Sequence, residues 1–252
     1  MLISFLMGCF VSGPAFALST VSSNHGIPDF NHAKRIAQEI HRDHAKTIYC
    51  GCSYSGTRID LQSCGYHPRS NLKRALRLEW EHVVPAEAFG QSFAEWREGA
   101  PECRRKSGRK FKGRKCAERN PEFSRMEGDL HNLWPEVGEL NGLRSNFSMA
   151  EIPGDAGEFG GCKAKVVDRK FEPMDFAKGT VARTYLYMEQ AYPGRGIISG
   201  KNRKLFDAWD KQHPVTDWEC LRAERIRAKQ GNANPIVAER CAALANVPGI
   251  TK

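Results

Sequence analysis

The residues best suited to chemistry in this 252-residue chain lie in two short runs. The first is Glu81-His82, inside the stretch WEHVVPAEAFG. The second is Asp129-Leu130-His131-Asn132-Leu133-Trp134-Pro135. Phosphodiester hydrolysis needs a base for the attacking water, a hard cation against the phosphate and the leaving oxygen, and an Arg or Lys for the developing charge. Glu, His, Asn and Arg cover these needs. Zinc-protease chemistry is disfavoured because the chain has no H-E-x-x-H run, and a cysteine nucleophile is disfavoured because the cysteines fit bridges better. On its own a Glu-His pair identifies nothing, since successive strand residues point to opposite faces. His41 and His44, at i, i+3 on an expected helix, have no third ligand near them in sequence and read as solvent-facing.

Three longer stretches settle the class. LEWEHVVPAEAFG at 78–90, GDLHNLWPEVGELNGLRSNF at 128–147 and QGNANPIVAERC at 230–241 resemble, in order and separation, the bacterial periplasmic and secreted endonuclease I group of the ββα-metal (His-metal finger) nucleases. The resemblance implies an α+β fold, a single mixed, mostly helical domain over 29–245 built around a ββα-metal finger. It implies His82 as general base and Mg²⁺ held by Glu81 and Asn132, with Mn²⁺ or Ca²⁺ as substitutes; few protein ligands with water filling the rest suits Mg²⁺. The family's catalytic Arg lies just ahead of a cysteine in a basic segment, which matches Arg114 in Gly113-Arg114-Lys115-Cys116, with Arg97, Arg105 and Arg109 as alternatives in the same region. The implied activity is cleavage of DNA and RNA with little sequence preference, to 5′-phosphate products; the oligomeric state is not read from the sequence, and a monomer is the default expectation. The competing class is a non-catalytic exported nucleic-acid-binding protein.

The charge agrees with either class. The chain carries 38 Lys and Arg against 29 Asp and Glu, a formal charge of +9, and such an excess draws polyanions by steering and counterion release. Much of it sits in RRKSGRKFKGRK at 104–115, where eight of twelve residues are basic. Two glycines and no helical apolar stripe make this a loop, and its single sign with Phe111 interleaved suits phosphate contact.

Residues 1–17 are apolar and end in Ala15-Phe16-Ala17, the small-x-small pattern of a signal peptidase site. They read as an export signal, too short to span a bilayer, and no other segment is a membrane-span candidate. Beyond it lie Cys50, Cys52, Cys64, Cys103, Cys116, Cys162, Cys220 and Cys241. An even count in an exported chain argues for four disulfides, although eight cysteines allow 105 pairings. Cys103 and Cys116 bracket the basic loop and are placed to pin its base.

The positioning elements follow from pattern. Residues 18–28 read as a flexible lead-in. Phe30, Ala33, Ile36, Ala37 and Ile40 recur at helical spacing over 30–45, with Asp29 or Asn31 as N-cap. Short β-favouring pieces broken by Gly51 and Gly56 suit a hairpin tied by cysteines. Leu78, Trp80, His82 and Val84 alternate in a strand over 77–84 that Pro85 ends. A helix is expected to begin near Pro135, with Asn132 on its lead-in. Helices also read over 181–191, 201–211, 216–229 with a Thr216-x-x-Glu219 capping box, and after Asn234-Pro235.

Overall fold

The computed structural model describes residues 21–245, so the expected export signal at 1–17 lies outside the described residues. In chain order the elements are α1 (Phe30–Ile40), β1 (Ser53–Ser55), β2 (Arg58–Asp60), α2 (Leu72–Ala75), β3 (Leu78–His82), α3 (Ala86–Gly90), α4 (Ala94–Arg97), α5 (Arg114–Ala117) and α6 (Pro121–Glu127). Then come β4 (Leu133–Val137), α7 (Gly138–Arg144), β5 (Ser148–Met149), β6 (Lys165–Val167), β7 (Lys170–Glu172), α8 (Asp175–Ala191), α9 (Gly200–Gln212), α10 (Asp217–Gln230) and α11 (Pro235–Ala245). Helices dominate and the strands form three small sheets, β1-β2, β3-β4 and β5-β7-β6, so the α+β expectation holds. Within the expected lead-in, residues 21–28 form no helix or strand. They are nonetheless fastened: Asn24 and Ile27 are buried, and the Asn24 amide donates to the carbonyls of Ile27 and Arg125 at 2.8 Å each.

The core is held chiefly by α8, whose Val181, Ala182, Tyr185, Leu186 and Met188 are buried with Phe206 and Trp209 of α9. A buried ion cluster ties three helices, Arg183 reaching Asp210 at 3.0 Å and Glu219 at 2.7 Å. The expected caps form where the sequence places them. Thr216 Oγ1 accepts from the Glu219 N–H at 3.1 Å, and Asn234 Oδ1 accepts from Ile236 and Val237, each cap contributing about 1 kcal/mol. Asp29 caps α1 through the His32 N–H at 2.9 Å.

Helix α1 stops at Ile40, five residues short of expectation. Arg225 of α10 takes the Ile40 carbonyl at 2.7 Å and both oxygens of Asp43 at 2.5 and 2.6 Å, so tertiary contacts end the helix where local pattern would continue it. His41 is consequently buried rather than solvent-facing. Its ring lies among Trp80, Trp134 and Trp218, its Nε2 accepts from Arg222 Nε at 3.1 Å, and burial pushes its pKa well below the ordinary value. His44 stacks on Trp218 with centroids 4.1 Å apart.

The other correction concerns Pro135, which lies in strand β4 and does not open a helix; α7 begins three residues later, at Gly138. Antiparallel ladders alternate bonded and non-bonded pairs. The bonds Val83 N→Asn132 O and Gly138 N→Arg77 O fix the phase of the β3-β4 ribbon, and Trp80 opposite Pro135 falls at a non-bonded pair. Proline's missing donor therefore costs no ladder bond. The outward-facing Pro135 carbonyl accepts instead from the Ile48 N–H at 2.9 Å.

Candidate active site

The β3-β4 ribbon and α7 together form the expected ββα unit. An open cleft of about 640 Å³ lies over it, and Glu81, His82, Arg114, Asn141 and Arg144 all line that cleft. His82 ends β3, with its ring 4.7 Å from that of Phe30. Its Nε2 lies 2.8 Å from the Glu127 carbonyl oxygen, an acceptor only, so Nε2 carries the proton and Nδ1 keeps its lone pair. Burial, then the nearby Arg114 guanidinium, holds the imidazole pKa down at about 3, against a partial counter-effect from the Glu127 bond. The ring is neutral, so Nδ1 offers a lone pair that can accept a proton.

Glu81 is 3% exposed. Its Oε1 accepts from the Tyr49 hydroxyl at 2.9 Å and pairs with Arg144 Nη1 at 3.1 Å, while Oε2 has no hydrogen-bond partner among the described residues. Burial raises its pKa to about 7 in spite of Arg144 and Tyr49. A buried carboxylate whose pKa stays raised although Arg144 pairs with one oxygen, and whose other oxygen is free on an open cleft, fits a cation. Among the described residues no three His, Cys, Asp or Glu converge as a metal cage. An ion here would be held by few protein oxygens and a shell of water, the arrangement that Mg²⁺ keeps.

Arg114 opens α5 and lines the same cleft, its Nε bonded to the Glu127 carboxylate and its guanidinium 5.4 Å from the Phe30 ring. Glu127 thus orients two residues at once, His82 through its carbonyl and Arg114 through its side chain. Arg97, Arg105 and Arg109 do not reach the cleft: Arg97 bonds the Gln91 carbonyl at 2.7 Å, and the other two sit in the exposed basic loop.

Asn132 does not reach it either. It is fully buried, with Oδ1 accepting from the Val84 N–H at 2.7 Å and Nδ2 donating to the Val84 carbonyl at 3.0 Å. Both ends of the amide are spent on the chain that leaves β3. The asparagine on the cleft is Asn141 of α7. Its Nδ2 donates to Glu79 Oε2 at 3.2 Å, and its Oδ1 has no hydrogen-bond partner among the described residues. Glu79 is itself clamped by Arg74 at 3.0 and 2.9 Å. Sequence reasoning missed Asn141 and Arg144, yet both stand in GELNGLRSN at i, i+3, the spacing that puts two side chains on one helix face.

Arg144 is 1% exposed and crosses beneath the site. It donates to the carbonyls of His82 at 3.0 Å and Val83 at 2.5 Å, as well as to Tyr185. Lys34, Arg74 and Arg77 line the cleft as further cations.

The sequence model described as endonuclease I matches residues 22–241. The chain belongs to the endonuclease I family. It is 40% identical to an extracellular deoxyribonuclease of Aeromonas hydrophila over 95% of this chain and 98% of that one. It is 39% identical to a periplasmic deoxyribonuclease of the same organism, over 91% and 93%. An endonuclease-1 of Buchnera aphidicola subsp. Baizongia pistaciae matches at 40% over 88% and 89%. As an endonuclease I this protein is an enzyme, and the reading of a non-catalytic binding protein falls away.

The family's third stretch, remote in sequence, proves to buttress the second. Gln230 accepts from the Leu130 N–H at 2.7 Å and donates to Asp129 at 2.9 Å, while Tyr187 and Tyr192 donate to the other Asp129 oxygen at 2.8 Å each. The turn that feeds β4 is thereby fixed from behind.

Proposed function

We propose that this endonuclease I is an exported, Mg²⁺-dependent nuclease that hydrolyses the phosphodiester bonds of DNA, and of RNA, to 5′-phosphate products with little regard for sequence. The observation that carries the reading is the pairing of a neutral His82, its Nδ1 free, with the open Oε2 of Glu81 on one basic cleft. The deoxyribonuclease names of its relatives, one extracellular and one periplasmic, support the substrate and the export. No helix among the described residues is long and apolar enough to cross a membrane.

In this reading His82 Nδ1 takes a proton from the water that attacks phosphorus in line, the bond to the 3′ oxygen breaks opposite it, and that oxygen takes up a proton from solvent water. The Glu127 carbonyl holds Nε2–H throughout and stabilises the imidazolium as it forms. The Arg114 guanidinium donates to the phosphate oxygens as their charge grows, an effect of roughly 10²–10³-fold beside about 10²–10⁴-fold from the base. Mg²⁺, when bound, would supply Lewis-acid neutralisation of the scissile phosphate. Glu81 and Asn141 are the residues to hold it, the ligand role passing from Asn132 to Asn141 because only the latter turns an unspent oxygen to the cleft. Cations that grip phosphates leave base edges unread.

Plasmid nicking with Mg²⁺, then with EDTA, tests the activity; cutting that survives EDTA would remove the metal from the account. Glu81→Ala and Asn141→Ala should each raise the Mg²⁺ concentration for half-maximal rate by on the order of tenfold or more. Asn132→Ala should instead lower stability by about 1–3 kcal/mol through the orphaned Val84 backbone and leave the Mg²⁺ requirement alone. If Asn132→Ala moved the requirement and Asn141→Ala did not, the sequence assignment would stand over the geometric one.

A further inference from the structure

The basic loop is a built feature. Its two arms pair through an Arg104-Lys110 bridge, with Phe111 N donating to the Cys103 carbonyl at 2.9 Å and Arg105 N to the Arg109 carbonyl at 2.9 Å. Gly108, at φ 79°, makes the turn that closes the tip, a conformation costly to residues with a Cβ. The Cys103–Cys116 disulfide closes its base. Arg119 braces it from the side, holding the Glu102 carbonyl at 2.7 Å, with its guanidinium 5.6 Å from the Phe111 ring. The result is a short, stapled finger.

Its cations have no acidic partners among the described residues, although Arg104 Nη1 donates to the Gly108 carbonyl at 3.2 Å. Arg104, Arg105, Lys106, Arg109, Lys110 and Lys112 are all exposed, and no carboxylate among the described residues pairs with any of them. Elsewhere on the molecule some exposed basic residues find acids, as Lys115 finds Glu118 at 2.8 Å and Lys229 finds Glu39 at 2.9 Å, and others such as Lys73, Lys204 and Lys211 stand alone among the described residues; the finger differs in gathering six such cations on one hairpin. The finger is also joined to the wall of the cleft: Gly113 N donates to the carbonyl of Trp96 at 3.0 Å, and both Trp96 and the adjoining Arg114 line the cleft.

We infer that residues 103–113 form a second phosphate-gripping site, which holds the backbone of a nucleic acid at a distance from the scissile bond. Unpaired like charges held together on a rigid hairpin repel one another, and a polyanion whose phosphates replace its counterions relieves that repulsion. The reach sets the substrate length. Four residues from Cys103 to Ser107 at about 3.3 Å each carry the tip about 13 Å out, or about four base pairs along a duplex. A substrate with a single phosphate fills the cleft without meeting the finger, whereas a duplex of two turns meets both.

The inference rests on the nucleic-acid reading of the cleft, so its test separates the two. Binding of a duplex of about 20 base pairs to the Lys106→Ser/Lys110→Ser/Lys112→Ser protein is measured in EDTA against salt, which requires no catalysis. The slope of log K against log salt should become shallower by about 3, at about 0.9 per phosphate contact, and Kd at 0.1 M salt should rise on the order of tenfold or more. The corresponding Lys→Arg triple should keep the parent slope. With Mg²⁺, turnover of bis(p-nitrophenyl) phosphate, which carries one phosphate, should be unchanged by the serine triple. An unchanged slope would overturn the inference, as would an equal loss on the one-phosphate substrate, because the finger would then merely shape the cleft. If the triple does not fold, the Lys106→Ser/Lys110→Ser protein should show a slope change of about 2, and no change there would equally refute it. Failure of the parent enzyme to cut in Mg²⁺ would count against the nuclease reading alone.

Discussion

His82→Ala is expected to fold, to bind DNA as tightly as the parent, and to lose cutting by roughly 10²–10⁴-fold. The fold survives because β3 is held by its backbone ladder to β4 and by Arg144 bonding the carbonyls of His82 and Val83, none of which uses the imidazole. What is lost locally is one bond to the Glu127 carbonyl and the contact with Phe30, within the usual ~0.5–3 kcal/mol of a point mutation. Affinity should survive because the cations Lys34, Arg74, Arg77 and Arg114 still line the cleft and the ring itself, with its pKa pushed down to about 3, contributes no charge to binding. Only the transition state needs the lone pair on Nδ1, so the defect falls on the rate and not on affinity. Nicking assays beside EDTA-quenched binding measurements separate the two quantities. Near-parental nicking by a folded His82→Ala protein would remove His82 from the mechanism.

The strand that carries Glu81 and His82 to the cleft was legible in the sequence because Leu78 to His82 sit inside a long motif and alternate over a short run. Arg114 was legible through the cysteine that follows it. The second strand was not, for a local reason. Pro135 reads as a helix start when the chain is read alone, and only the pairing phase of the ribbon, a long-range property, makes it harmless in a strand. The error then spread to the expected ligand, Asn132. With the helix started near Pro135, Asn132 stands at its mouth and looks like the exposed amide; with Leu133–Val137 as strand, Asn132 turns inward onto Val84 and the cleft is met one helix later, by Asn141. Burial of His41 was likewise hidden, because it depends on Arg222 and three tryptophans brought together from distant parts of the chain. The helix caps at Asp29, Thr216 and Asn234 needed no such help, since a cap is satisfied within three residues of itself.

Reduction is expected to inactivate the enzyme and partly unfold it, and reoxidation to restore it, although no cysteine faces the cleft. The eight cysteines at 50 and beyond form four bridges, Cys50–Cys162, Cys52–Cys64, Cys103–Cys116 and Cys220–Cys241. In the chain-entropy account a bridge contributes about 3 kcal/mol for loops near 15 residues and about 4.7 kcal/mol near 100. The first of these spans 112 residues and the others 12, 13 and 21, so together they rival the ~5–15 kcal/mol that separates a folded domain from its unfolded chain. Their positions sharpen the effect. Cys50–Cys162 anchors the segment whose Tyr49 hydroxyl holds Glu81, and Cys103–Cys116 fixes the start of the helix that Arg114 opens. Two of the four bridges therefore stand directly behind residues of the site, and loosening them should misplace the carboxylate and the guanidinium before the α8 core gives way. Activity should accordingly fall earlier than helical circular dichroism as dithiothreitol is raised at constant Mg²⁺, and thiol titration of the denatured, unreduced protein should find none of the eight cysteines free. A nuclease built this way should be inert in the reducing cytosol beside the cell's own DNA and become competent only after export. Full activity in the reduced state, or several free thiols in the active enzyme, would defeat this account.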